Sequence, residues 1–157
     1  MKIRFVTVGK TEESHIKEGI SIYEKRIGYY LPFEMIEIPA LKNTKSLSLE
    51  QQKVKEGELL LKYFEKKEQV VLLDEKGRQQ GSVEFSDFIQ QHQLSGAKAL
   101  LFVVGGPYGF SKEVYNAAGH LLSLSKMTFP HQLVRLIFVE QLYRAMTIMR
   151  NEPYHHV

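Results

Sequence analysis

The chain has 157 residues, 43% of them hydrophobic and 25% charged, which suits one globular domain with a full core and lies outside the disordered range. It contains no cysteine, which excludes disulfide frameworks, zinc–thiolate centres, iron–sulfur clusters and thiolate nucleophiles. The net charge of +3, from 21 basic and 18 acidic residues, is a weak pull toward an anionic partner and no nucleic-acid signature by itself.

Residues 2–8 alternate before turning apolar at Val6 and Val8, which predicts a strand ended by Gly9. Ile16, Ile20, Tyr23 and Ile27 then fall at helical spacing, predicting a helix over 11–27 with Glu12 and Glu13 in its first turn and Gly28 and Pro32 as stops. Residues 33–38 form a second strand closed by Pro39, and the polar stretch 41–47 is a loop. Ser48 and Gln51 make a capping box for a helix reaching about Lys67. Residues 69–74, with Val70-Val71-Leu72-Leu73, suit a central parallel strand bounded by a turn at Lys76-Gly77. Ser82 is expected to cap a helix to about Gln93. The most apolar run, Ala99-Leu100-Leu101-Phe102-Val103-Val104, is a second buried strand. Ser111 caps a short helix to about Ala118, residues 121–124 form a last strand, Pro130 breaks the chain, and 132–150 form a closing helix before a tail. Strand–helix alternation without repeats or linkers predicts a single α/β domain over 1–157, with a mainly parallel sheet and helices on both faces. No apolar run approaches the roughly 18 residues of a membrane helix. No leader is visible ahead of Ile3, so a bacterial-type cytoplasm is the expected location.

Several segments carry possible chemistry. Gly105-Gly106-Pro107-Tyr108-Gly109 follows the most buried strand, where an open α/β sheet binds ligands. A tight turn would account for one or two of these glycines, and the spacing is neither a dinucleotide fingerprint nor a P-loop. Leu73-Asp74-Glu75 ends another buried strand, on the same predicted edge. Residues 123–131 follow the last strand but stay half apolar, so their backbone needs partners from chain or ligand. The closing helix is apolar on more than one side, as in a helix buried in its domain or paired with another subunit. From residue 126 onward the only acids are Glu140 and Glu152, against Lys126, Arg135, Arg144 and Arg150, with His131, His155 and His156 nearby. Metal binding is not expected: adjacent histidines ligate one ion poorly and no carboxylate cluster supports them. No serine sits in a G-x-S-x-G elbow.

Taken in order, Leu73-Asp74-x-x-Gly77, Gly105-Gly106-Pro107-x-Gly109, Leu124-Ser125-x-x-Thr128-x-Pro130-His131, Arg135, Glu140-Gln141-Leu142-Tyr143-Arg144-Ala145 and Pro153-Tyr154-His155 span nearly the whole chain. With Val8-Gly9-Lys10 and Tyr23-Glu24-Lys25-Arg26, the series resembles the ribosomal RNA large subunit methyltransferase H family, the pseudouridine N3-methyltransferases of bacterial ribosomes. The resemblance implies a SPOUT-class α/β domain with a C-terminal trefoil knot and a homodimer with its active site at the subunit boundary. It implies S-adenosylmethionine held by Leu73, Gly105, Leu124, Ser125, Lys126, Met127, Thr128 and Phe129, with His131 ordering that loop and no metal. It also implies a ribosome-bound rRNA substrate. Tyr154 and His155 would hold the target base, with Arg144 and Arg135 on phosphate or carbonyl oxygen and His155 as general base or orienting group. Rival readings are a SPOUT enzyme acting on tRNA, a non-enzymatic nucleotide-binding module, and an assembly protein.

One departure is visible. Where the family usually has Lys or Arg after Tyr-His, this chain has His156, so a permanent charge becomes a titratable one. RNA affinity is therefore expected to fall as pH rises, and binding measured across the neutral range should lose that dependence in His156→Ala.

Overall fold

The computed structural model describes residues 1–156. The chain runs β1 (Lys2–Val8), α1 (Ser14–Gly28), β2 (Phe33–Ile38), a 3-10 turn (Thr44–Ser46) and α2 (Leu49–Leu61). It continues through β3 (Glu68–Gln79), α3 (Ser82–Leu94), β4 (Ala99–Val104), α4 (Lys112–Ala117), β5 (His120–Ser123) and α5 (His131–Met149). The strands form one parallel sheet in the order β2-β1-β4-β3-β5. No helix among the described residues is long and apolar enough to cross a membrane.

β4 is buried at all six positions, because both faces of the sheet are covered. Its alternate residues serve two separate cores. Leu100, Phe102 and Val104 join Ile3, Phe5 and Val71 beneath α1, α3 and α5, while Leu101 and Val103 join Val6, Val70 and Leu72 beneath α2 and α4. α5 is flanked by α1 and α3 and places Phe138, Val139, Leu142, Ala145 and Met146 against the sheet. Its apolar character on several sides is thus largely used within the chain.

Three element boundaries differ from expectation for non-local reasons. α1 starts at Ser14, not Thr11, because Thr11 donates its N–H to the Glu37 carboxylate of β2; Glu12 and Glu13 therefore precede the helix. α2 stops at Leu61, and Lys67 takes a left-handed φ of 75° before β3 begins. The turn expected at Lys76-Gly77 is an irregularity inside a longer β3. Leu73 and Arg78 both pair with Leu122 of β5, and a Cβ on Gly77 would lie 2.6 Å from Leu122 N. At the start of α3, Gly81 occupies the cap position and its N–H donates to Glu84 Oε2 at 2.9 Å. The expected cap Ser82 instead donates its hydroxyl to Gln141 of α5 at 3.2 Å.

Phe138 ties α5 to the sheet. It is fully buried, with ring centroids 4.5 Å from Phe5, 4.8 Å from Phe102 and 6.4 Å from Phe85. Phe138→Ala is expected to destabilise the fold by about 3–5 kcal/mol, from lost transfer energy and the cavity left behind, as read by urea denaturation.

Candidate functional site

The middle of β3 and the carboxyl ends of β4 and β5 surround a cavity of about 410 Å3, within the roughly 300–1,000 Å3 common for small-molecule sites. Its walls come from the middle of β3 at its irregularity (Leu73, Asp74), the glycine loop after β4 (residues 105–109), the loop after β5 (Leu124, Ser125, Met127, Thr128, Phe129) and the first turn of α5 (His131, Val134). The three segments singled out from sequence therefore converge. Of the residues assigned to a cofactor, Leu73, Gly105, Leu124, Ser125, Met127, Thr128 and Phe129 line the cavity; Lys126 belongs to the same loop but not to the lining.

The loops around the cavity are shaped from within the protein. A Cβ on Gly105 would meet the Phe110 ring at 2.9 Å, and Gly109 has φ 83°. Both glycines are thus required by packing or backbone conformation as well as by any ligand. Ser125 Oγ accepts the N–H of Met127 at 2.9 Å, and its carbonyl accepts from Ser123 Oγ at 3.1 Å, which folds this segment on itself. Asp74 accepts the Lys76 N–H at 2.8 Å and the hydroxyl of Tyr115 from α4. Burial first, then the Asp74 hydrogen bond and the charges of Asp74 and Glu75, push the Tyr115 phenol up to about 12. Tyr115 and Lys53 of α2 also line the cavity; neither carried a signal in the sequence, since each lies on an amphipathic helix whose orientation is set only by packing.

A second cluster forms at the far end of α5. Arg144 pairs with Glu140 at 2.6 Å and lies over the Tyr154 ring at 4.8 Å. The Tyr154 hydroxyl donates to the same carboxylate oxygen at 3.0 Å, and the Tyr154 ring packs on Tyr143 at 4.8 Å. Burial first, then Tyr23 and Glu140, hold the Tyr154 phenol well above the usual tyrosine range, so it is a protonated donor. His155 Nδ1 lies 3.3 Å from Arg144 Nη1. A guanidinium offers only protons, so this contact is a hydrogen bond where Nδ1 is the acceptor. The tail doubles back on α5, with the N–H groups of Asn151 and Glu152 donating to Ile148 and Thr147. Glu140 joins Arg144 and Tyr154, a role visible in sequence only as an i,i+4 pair.

Arg135, expected at RNA, lies elsewhere. It is 3% exposed, and its guanidinium donates to the carbonyls of Val8 at 2.8 Å and Gly9 at 3.0 Å, to Thr11 Oγ1 at 3.0 Å and to Glu37 at 3.4 Å. In this chain it pins the β1–α1 connection, a correction that follows from its burial. His156 is exposed in the tail. Among the described residues no group of three His, Asp or Glu side chains is placed to hold a metal ion.

The cavity meets α5 at His131 and Val134, and the second cluster meets it at Glu140 and Arg144. Six residues of helix at 1.5 Å each separate Val134 from Glu140 by roughly 9 Å. Tyr154 and His155 are not among the residues that line the cavity.

Comparison with known proteins bears on both ends. A family model described as predicted SPOUT methyltransferase matches residues 1–155. A protein of Parabacteroides distasonis named ribosomal RNA large subunit methyltransferase H is 54% identical over 156 residues, covering 99% of each chain. Proteins of the same name from Christiangramia forsetii and Bacteroides thetaiotaomicron are 54% and 52% identical over the same span, again covering 99% of each chain. Among solved structures, a probable methylase family protein of Haemophilus influenzae superposes with a TM-score of 0.52 at 12% identity, covering 99% of this chain and 70% of that one, a likeness of fold.

Tyr115 and Tyr30 are both pushed up to about 12 in the folded chain, above the ordinary value of about 10. A folded state that holds these protons more tightly is favoured below pH 10 and loses that stability as pH rises toward 12. Melting temperature is expected to fall over this window, and to fall less steeply in Tyr115→Phe.

Proposed function

The chain belongs to the SPOUT methyltransferase family, among the ribosomal RNA large subunit methyltransferase H proteins, and from that membership we propose that it transfers a methyl group from S-adenosylmethionine to N3 of a pseudouridine in large-subunit ribosomal RNA, within the assembled ribosome in the bacterial cytoplasm. The observation that carries the reading is the convergence of Leu73, Gly105, Leu124, Ser125 and residues 127–129 on one cavity of the sheet.

The cavity fits that cofactor. It is large enough for a nucleoside with an amino-acid arm, its loops are rich in glycine and backbone polar groups, and Asp74 and Glu75 place negative charge at its wall. Leu73, Gly105 and residues 124–129 would hold the group, which when bound supplies an electrophilic methyl. Ser125 keeps the 124–129 loop turned inward, and Tyr115 holds Asp74 at the cavity wall. The remaining task is to orient the base and assist loss of its N3 proton. Tyr154 is a donor, since its phenol stays protonated. Where Nδ1 accepts from Arg144, the ring proton is on Nε2 and His155 is suited to donate to a base carbonyl and so make the adjacent imide more acidic; this orienting role stands ahead of direct proton abstraction. Arg144, paired with Glu140, keeps His155 and Tyr154 in place.

The absence of Tyr154 and His155 from the residues that line the cavity supports a homodimer in which the tail of one subunit completes the cavity of the other. A knotted C-terminal segment is part of the same reading. β5 lies at the sheet edge beside β3, whereas α5 lies between α1 and α3. A chain joining them under the β3–α3 connection would be threaded. The contact of Gly77 with Leu122 and the bond from Ser82 to Gln141 support that path.

Ribosomes lacking the modification, naked large-subunit RNA and tRNA are offered with radiolabelled cofactor. Label is expected in pseudouridine of the ribosome; label in tRNA alone would overturn the substrate. His155→Ala and Gly105→Arg should each abolish transfer, and mixed dimers of the two should recover about a quarter of wild-type activity, since half the dimers then hold one intact site of two. No recovery would overturn the shared site.

A further inference from the structure

We propose that Glu56, on α2 behind the cavity wall, is a positioning residue that aims the Gly105 carbonyl into the cofactor site. The inference rests on the reading that the cavity binds S-adenosylmethionine. Glu56 Oε1 accepts the N–H of Gly106 at 2.8 Å. That N–H and the carbonyl of Gly105 belong to one planar trans peptide, so they point in opposite directions. Gly105 and Gly106 line the cavity and Glu56 does not. Fixing the N–H on the Glu56 carboxylate therefore turns the carbonyl of this cavity-lining peptide to the side opposite Glu56, where it can accept a hydrogen bond from an amino or hydroxyl group of a ligand.

Two close approaches make this clasp possible. A Cβ on Gly106 would collide with the Glu56 carboxylate, and a Cβ on Gly57 would collide with Ser111 at the cap of α4. α2 is thus seated directly against the glycine loop and the helix that follows it. The second glycine of Gly105-Gly106 is explained by this contact, as the first is by Phe110.

The chemistry of Glu56 also points beyond folding. Burial pushes its carboxyl up, against the lowering effect of the Gly106 N–H. Its polar partner among the described residues is that N–H, with no cation beside it. A half-buried carboxylate without a cation is costly, and a well-packed apolar residue would serve stability better. The peptide it holds accounts for a carboxylate at this place.

The test is calorimetric binding of S-adenosylmethionine to the full chain. Glu56→Asp is one methylene too short to reach Gly106, and its Kd is expected to rise about tenfold, the effect of losing one charge-assisted hydrogen bond. Glu56→Gln keeps both reach and an acceptor oxygen, and should recover most of the affinity. In turnover, Glu56→Asp should raise KM for the cofactor with kcat nearly kept. Gly106→Ala, which displaces the carboxylate from the other side, should show the same loss and none further when combined with Glu56→Asp; it carries the test if Glu56→Asp does not fold. Wild-type affinity in both Glu56→Asp and Gly106→Ala, or equal loss in Glu56→Gln and Glu56→Asp, would overturn the proposal. Failure of the wild-type chain to bind the cofactor would instead overturn the methyltransferase reading.

Discussion

A rigid helix of fixed length governs how this molecule is organised. α5 begins at the cavity with His131 and Val134 and carries Glu140 and Arg144 at the tail cluster, and neither Tyr154 nor His155 lines the cavity. Packing makes that length rigid. Phe138, Val139, Leu142 and Met146 lock the helix to the sheet, and α1 and α3 flank it. One end of the helix thus borders a cavity made of loops, and the other a cluster of ionic and aromatic side chains.

The two ends are ordered by different physics. At the cavity, shape comes from backbone: steric demands at Gly105 and Gly109, a serine turn at Ser125, and a peptide bond held by Glu56. At the tail, shape comes from one carboxylate. Glu140 bonds both Arg144 and Tyr154, Arg144 meets His155, and Tyr143 provides the ring surface on which Tyr154 rests. Glu140 thus gives the terminal residues a defined place on α5, where an exposed tail would otherwise fray.

Much of the fold was legible in the sequence. The unbroken run from Ala99 to Val104 announced a strand covered on both faces, and Ser48 with Gln51 announced the start of α2. The loops that meet at the cavity were marked by glycines and by an apolar stretch too long for an ordinary turn. What sequence did not show depends on distant neighbours. Arg135 reads as a surface cation, but four oxygens from Val8, Gly9, Thr11 and Glu37 surround it. The early start expected for α1 fails for the same reason, since Thr11 is tied into that cluster. Gly77 looks like a turn glycine, yet what it accommodates is the backbone of Leu122. Lys53, Glu56 and Tyr115 had no signature, because their meaning lies in which side of a helix the rest of the fold turns inward.

The outer strands of the sheet have a consequence for how copies of the chain behave in a crowded solution. β2 and β5 both leave one edge without a strand partner, and such edges template fibril growth by strand addition. β2 carries Glu34 and Glu37, while β5 spans only four residues beside an irregular β3. Charge on one side and brevity on the other disfavour polymerisation through the sheet. Growth by strand addition is thereby disfavoured at both edges of the sheet.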